Sequence, residues 1–226
     1  ATVKLPNDKN LGVNFAANYN TATDKMASLY SLLTQGADPT SDFRNRYDHN
    51  KQSNYQLLGS IGYVLIEKEH GNMFHKLYAT YNIDHRHQQG NRKYYRFDRL
   101  GGDWALPDRK HLGQLPSTTD SLALATDWAN TYKTTTSKTM HTAELRYLLM
   151  KDGLNFYAAL PMAFTRNVID DLRMKDQQRH IVKHYQWLQP SFSLSIKNIK
   201  MSGSIAHTAP QMNLLLDVTD DSNPLF

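Results

Sequence analysis

The chain has 226 residues, 26 Lys and Arg against 21 Asp and Glu, no Cys, 11% aromatic residues and a mean hydropathy of −0.62. The absence of cysteine excludes a disulfide-stapled module, a thiolate zinc site, an iron–sulfur cluster and a cysteine nucleophile, and the aromatic content argues against a disordered polyelectrolyte. No run reaches the roughly 18 apolar residues of a membrane-spanning helix, which excludes a helical membrane protein; a membrane β-barrel stays open because its strands show only alternation.

Residues 1–9 contain no basic region, no apolar stretch and no small-residue cleavage site, so the sequence predicts no export signal in this stretch. Two explanations are compatible with that pattern. Either the protein is cytosolic, or its amino end has been removed.

The first predicted hairpin follows a period of two. In residues 11–19 the odd positions are apolar or aromatic and the even positions are small or polar, and the same alternation returns in 55–65 and 76–84. Such alternation is typical of strands with one apolar and one polar face. Gly71 and Asn72 between the last two runs predict a tight turn with positive φ.

Two further hairpins have the same plan. Residues 141–149 and 154–165 alternate on either side of an Asp152-Gly153 turn signal, and 187–196 and 199–205 alternate on either side of a short turn at 197–198. The pattern therefore predicts seven strands.

The connections alternate in length, and this favours one class of fold. Those near 67–72, 151–153 and 197–198 are short, whereas three polar links are long, at 20–53, 87–138 and 167–183. Compact domains rarely contain several loops beyond about 15 residues, but outer-membrane barrels alternate short periplasmic turns with long extracellular loops, and cross the membrane with strands of about 9–11 residues. The predicted fold class is all-β: an antiparallel meander of about seven long strands, a segment of a transmembrane β-barrel, with 1–226 as a single unit.

Two segments of the long links have patterns of their own. Residues 24–33 predict a short helix, although their apolar residues form no clean stripe. The cations of 92–99 alternate with aromatics, but the neighbouring Gly and Pro residues favour a solvated loop over a nucleic-acid contact. No nucleic-acid partner is therefore predicted.

Five aromatic residues lie near the ends of predicted strands, and they leave two interpretations open. They fit the interfacial girdles of a membrane barrel, or they reflect the general preference of Tyr and Trp for strands. They are Tyr19, Tyr55, Tyr147, Phe164 and Trp187.

The residues that could bind a metal ion or form an ion pair do not predict a functional site. His85 and His87 share one strand face, but without further ligands they predict a solvated strand end rather than a metal site. Glu144 and Arg146 form either an ion pair facing a barrel lumen or a surface pair on a soluble sheet. The acidic group at 217–221 (Asp217, Asp220 and Asp221) predicts a polar loop rather than a cation site, since it lacks the glycine and distal Glu of an EF-hand.

Catalytic signatures are also missing from the sequence. It contains no Gly-x-Ser-x-Gly elbow, no phosphate loop and no His-Glu-x-x-His. The sequence therefore predicts no catalytic, cofactor-binding or metal residue, no cofactor and no enzymatic activity.

A carboxyl-terminal motif suggests a family. Ala209-Pro210 is followed by a leucine-containing stretch ending at Asp217, and then by Asp220-Asp-Ser-Asn-Pro-Leu225. This pattern resembles the carboxyl-terminal barrels of TonB-dependent receptors and related outer-membrane proteins of Gram-negative bacteria. In that family a Gly-Asn-Pro and a Leu-x-Pro-Glu segment usually follow, together with the remaining strands.

The resemblance implies a location, partners and a function. It implies a segment of an outer-membrane receptor or transporter for TonB-dependent uptake of a bulky solute, with outer-membrane lipid, the remainder of the barrel, a plug domain and the TonB system as partners. The solute is not identified, and no functional residue is carried over. Without a plug, a TonB-contacting box or a terminal aromatic strand, we expect a middle slice of about seven of the roughly 22 strands of a plugged transporter.

The barrel interpretation assigns one strand face to lipid, and a soluble alternative stays open. A slice in water would need self-association, detergent or repacking to hide that face. The alternative is a soluble all-β sandwich or small barrel acting as a carbohydrate- or protein-binding module through 87–138, with strands of about 5–6 residues and mutually buried apolar faces. The residues predicted to face outward are Leu11, Val13, Phe15, Leu154, Phe156, Leu160, Phe164, Phe192 and Leu194.

Overall fold

The computed structural model describes residues 2–4, 10–34, 40–106, 109–171 and 179–207, and its described strands form one antiparallel sheet. Each strand pairs with its neighbour in the sequence, except that β6 pairs with both β7 and β8. The strands are β1 (Thr2–Lys4), β2 (Asn10–Thr34), β3 (Thr40–His70), β4 (Met73–Arg96), β5 (Tyr132–Lys151), β6 (Leu154–Asp171), β7 (Arg179–Leu188), β8 (Ser191–Ile196) and β9 (Ile199–Ser204).

The predicted all-β meander is confirmed, and each of the seven predicted strands coincides with an observed one. β7 and β8 together lie along β6 as a single strand, interrupted at Gln189-Pro190. Pro190 has no backbone N–H to continue the ladder, and the Gln189 N–H donates to the Pro161 carbonyl at 3.0 Å instead. The prediction that 1–226 is a single unit stays a prediction, since 208–226 lie outside the described residues.

The three short turns are confirmed. Gly71 has a positive φ of 57°, whereas Asn72, which was expected to share it, does not. Gly153 (φ 73°) and Lys197 (φ 48°) provide the corresponding left-handed residues of the other two turns.

The predicted long link at 20–53 is wrong over most of its length, and those at 87–138 and 167–183 are shorter than predicted, because the strands continue into them. β2 and β3 stay paired from Leu11 with Tyr63 as far as Thr34 with Thr40, so the predicted helix at 24–33 is a strand. The extensions combine polar and apolar side chains without a period of two, so hydropathy alternation is lost although the backbone ladder continues.

A compact segment connects β4 to β5, and we call residues 97–131 the cap segment, of which 107 and 108 are not described. It contains two short 3-10 helices, Phe97–Leu100 and Gly102–Ala105, and one α-helix, α1 (Thr119–Ala125). Thr118 caps α1 by accepting the Ser121 N–H at 3.2 Å. None of the helices in the described ranges is long and apolar enough to cross a membrane.

The cap segment packs on the extended ends of β3 and β4. Phe97 and Ala125 are fully buried there against Tyr47, with Trp104 and Leu122 completing the cluster. The expected solvated loop at 92–99 is therefore wrong, because its aromatic residues form the core of the cap segment.

Candidate functional site

The sheet has one apolar face, which we call the apolar face, and its members can be followed from strand to strand because directly paired residues share a face. One row crosses six strands and another crosses five. The first row is Val13, Ile61, Tyr81, Ala143, Met162 and Leu188, and the second is Leu11, Tyr63, Ala79, Leu145 and Leu160.

Within a continuous zone the apolar face contains no Asp, Glu, Lys or Arg, and we call this zone the apolar band. The nine residues predicted to point outward all share this face. A bulge shifts the register between Val64 and Ile66 and ends the predicted alternation of 55–65 one residue early. The band comprises the apolar-face residues of 11–19, 55–66, 77–83, 141–149, 154–164, 192–196 and 199–203.

The apolar band is exposed. Phe15 is 74% accessible, Leu145 47% and Met201 55%, and no second layer of the described chain covers them. A sandwich would bury this face against another sheet, but the described strands form a single sheet with strands of up to 31 residues. The sandwich is therefore not the architecture that these residues adopt.

The same face is covered at the other end of the strands. Tyr47 lies eight residues before Tyr55 on β3, hence on the same side, and pairs with Ala27 and Tyr95. Its ring centroid is 6.1 Å from that of Phe97 in the cap segment. The chain thus buries its apolar face around Tyr47 and leaves the apolar band open.

The opposite face is polar and carries paired charges. Arg146 Nε contacts Glu144 Oε1 at 2.6 Å and its Nη1 donates to the Tyr78 hydroxyl at 3.1 Å. Arg86 Nη2 likewise contacts Asp84 Oδ2 at 2.8 Å. Each pair uses residues i and i+2 of one strand, as expected for neighbours on one face, and the Glu144–Arg146 pair foreseen in the sequence is confirmed.

Histidine side chains lie at or beside both borders of the apolar band on the apolar face, and two of them contact tyrosine hydroxyl groups. Towards the cap segment, His85 Nδ1 lies 2.8 Å from Thr139 Oγ1, and His141 Nδ1 lies 2.6 Å from the Tyr81 hydroxyl. Towards the short turns, His75 Nδ1 lies 2.7 Å from the Tyr147 hydroxyl.

Four of the five aromatics proposed for a girdle lie on the apolar face near these borders. They are Tyr19, Tyr55, Tyr147 and Phe164. Trp187 is the exception, since it pairs with Ala163 on the polar face.

The histidines form no metal centre in the described part of the chain. His85 and His87 share the apolar face as predicted, but their ring nitrogens contact hydroxyl groups, including Ser137 Oγ at 2.7 Å from His87 Nδ1. No group of three or more His, Cys, Asp or Glu residues within the described ranges could hold a metal ion. The acidic group at 217–221 lies outside those ranges.

Beyond the apolar band, ion pairs stabilise the strand extensions. Arg92 Nε donates to Asp48 Oδ2 at 2.9 Å, and this bond raises the pKa of Arg92 above its ordinary value. Burial raises the pKa of Tyr95. The exposed Asp103 accepts a hydrogen bond from Lys110 at 2.6 Å, which lowers the pKa of its carboxyl.

Comparison with known proteins identifies no family. No family model matches the chain, and no curated protein matches it either. Among solved structures, the chain is similar to the ferric citrate transporter FecA in the unliganded form, at 13% identity and a TM-score of 0.47, over 82% of this chain and 24% of that one. The chain thus spans about a quarter of the length of that protein.

Proposed function

We propose that this chain is a segment of an outer-membrane β-barrel whose apolar band contacts lipid and whose polar face lines the interior. The observation that carries the proposal is the apolar band itself, an uncovered face without Asp, Glu, Lys or Arg. Soluble monomers rarely expose contiguous apolar patches above a few hundred Å². A membrane barrel instead alternates lipid-facing apolar residues with polar residues towards the lumen along every strand.

The dimensions of the band support this assignment. The steps from Leu154 to Phe164 on β6 correspond to about 34 Å at about 3.4 Å per residue. A strand tilt of about 45° reduces that length to a height of roughly 24 Å, close to the apolar band of about 25 Å in outer-membrane barrels. The paired His and Tyr residues at both borders fit the polar–apolar boundary.

The open edges support a place within a larger barrel. In the described residues, the outer edge of β9 has no partner strand, and β1 covers only the beginning of the outer edge of β2. Unpaired backbone groups cannot remain in hydrocarbon, so in vesicles that hold only this chain the two edges must pair through self-association, whereas in the parent protein further strands must pair with both edges. These strands would belong to the remainder of the barrel.

The carboxyl-terminal motif supports the finer part of the proposal. We infer that the parent protein resides in the outer membrane of a Gram-negative bacterium and takes up a bulky solute, with a plug domain and the TonB system as partners. The motif residues lie outside the described ranges, so this inference depends on the sequence resemblance. The proposal includes no enzymatic activity.

The absence of natural cysteine makes the proposal testable with single labels. Ala143 and Thr142 are adjacent on β5, and lie on the apolar and the polar face respectively. We expect a spin label at Ala143→Cys, in chain refolded into phospholipid vesicles, to be accessible to oxygen and protected from a water-soluble relaxing agent. The same label at Thr142→Cys should show the opposite preference.

Two results would contradict the proposal. One is equal accessibility of both labels to the water-soluble agent in vesicles. The other is a compact, dilute monomer of the unlabelled chain in detergent-free buffer by analytical ultracentrifugation, because such a monomer could not hide the apolar band.

A further inference from the structure

A groove of about 450 Å³ lies on the apolar face at the border of the apolar band nearest the long connections. Its floor follows the paired strands β5, β6 and β7, and its border with the band is marked by Phe164. The apolar-face residues that line it are His141, Phe164, Arg166, His184 and Gln186.

The register arranges these residues in two adjacent rows. Phe164 pairs with His141 on one side and Gln186 on the other, and this row ends the apolar band. Arg166 pairs with His184 in the next row of this face, two residues further along β6. A cationic row therefore follows directly on the last apolar row.

The groups that would bind a ligand are accessible. Arg166 and His184 are both exposed, and neither side chain has a hydrogen bond or ion pair with the residues that the structure describes. Arg166 presents a planar fork of donors, the geometry that binds phosphate through two parallel hydrogen bonds. Beside it, the ring of Phe164 offers an apolar surface to an acyl chain.

The surrounding part of this face is predominantly cationic. Lys51, Lys93 and Lys133 lie on it three or four rows beyond Arg166 and are exposed, and His85 lies beside Thr139 in the row of Arg166 itself. On the described strands beyond this border the apolar face carries one acid, Asp170, which is paired with His180. The net charge of this end of the face is therefore complementary to that of an anion.

We propose that this groove binds the phosphate group of an anionic lipid of the outer leaflet. The inference rests on the proposed function, because only a membrane-embedded sheet places this row at the level of the headgroups. Arg166 binds the phosphate, His184 and His141 donate further hydrogen bonds, and Phe164 packs against the upper part of an acyl chain. An anionic lipid fits the groove because its phosphate complements the cationic row and its acyl chain can continue onto the apolar band.

The test uses the full chain in zwitterionic detergent micelles, titrated with bisphosphorylated lipid A and monitored by native mass spectrometry. We expect Arg166→Gln to weaken retention of this lipid about tenfold. Lys183→Gln is the matched control, because Lys183 precedes His184 and is an exposed cation on the polar face. It should leave retention unchanged.

Two control ligands show whether the bound phosphate group belongs to a lipid or is free phosphate. Dephosphorylated lipid A should bind to the wild type no better than bisphosphorylated lipid A binds to Arg166→Gln. Inorganic phosphate should not displace the phosphorylated lipid. Arg166→Lys retains the charge without the fork and should recover only part of the binding. Equal retention by the wild type, Arg166→Gln and Lys183→Gln would overturn the inference, as would displacement by inorganic phosphate at the same concentration as lipid.

The label at Ala143 separates the two possible failures. If that label reports lipid while Arg166→Gln binds lipid A normally, the headgroup site is wrong and the barrel proposal stands. If the label reports water, the proposed function fails first.

Discussion

Leu145 lies near the middle of the apolar band, paired with Leu160 and flanked along β5 by Ala143 and Tyr147, and its side chain is 47% exposed. In water, replacing a side chain exposed to this extent by Arg should change the free energy of unfolding by no more than about 0.5 kcal/mol. On the lipid face of a membrane barrel, the same change near the midplane costs about 2–4 kcal/mol. The two environments therefore predict clearly different outcomes for Leu145→Arg.

The lipid-facing value corresponds to a loss of roughly 30-fold to several hundred-fold in the folding equilibrium, at about 1.4 kcal/mol per tenfold. The measurement is a urea titration of the chain in phospholipid vesicles, followed by tryptophan fluorescence. Thr142→Arg is the control, because Thr142 lies on the polar face two residues before Glu144, which can accept the new cation.

Depth along the strand provides a second comparison. Thr139→Arg introduces the same charge on the same face beside the border of the band, where the expected cost is about 0–1 kcal/mol. If Leu145→Arg is as stable in vesicles as Thr142→Arg and Thr139→Arg, then the band does not contact lipid and the reasoning is refuted.

Three further predictions concern other parts of the sheet. Arg146→Met should destabilise the chain by about 1–3 kcal/mol, because it leaves the 9% exposed side chain of Glu144 without its partner, and adding Glu144→Gln should recover most of that loss in the same urea titration. Phe97→Ala should cost about 3–5 kcal/mol within the cap segment, since Phe97 is fully buried; hydrogen exchange should increase there, and an equal increase across β6 would contradict this local role. Burial raises the pKa of Tyr95, so its neutral form is favoured by folding; stability should be unaffected below the ordinary value of 10.0 and should decline as pH rises above it. Tyrosinate absorbance should therefore show one residue titrating later than exposed tyrosines, and Tyr95→Phe should remove that late phase.

The positions of the strands could be predicted from the sequence because they depend on local patterns. A strand with one buried or lipid-facing side has alternating hydropathy, and Phe15, Leu160 and Phe192 were assigned to one face from this period alone. The turns at Gly71 and Gly153 followed from the same kind of local chemistry, the freedom of glycine to take positive φ.

The ends of the strands could not be predicted in this way. Residues 24–33 combine polar and apolar side chains without a period of two, and only pairing with β3 makes them a strand. The bulge at Leu65 and the break at Pro190 are likewise set by how the neighbouring strand continues.

Candidate sites could likewise be predicted only where their residues are close together in the sequence. Sequence reasoning foresaw the Glu144–Arg146 pair because its members are two residues apart, but missed the Asp48–Arg92 pair, whose members are 44 residues apart and meet only across β3 and β4. It also missed the groove at Arg166, which combines three strands and has no signal in any one of them.

By itself, the sequence determined the strands, the turns and the division into an apolar and a polar face, since each arises from side chains a few residues apart. Only the tertiary structure decided which part of the apolar face is covered. The cap segment returns from the end of β4 to bury Tyr47 under Phe97, whereas no described segment reaches the apolar band. That difference depends on where the chain returns in space, which the local alternation of hydropathy does not encode.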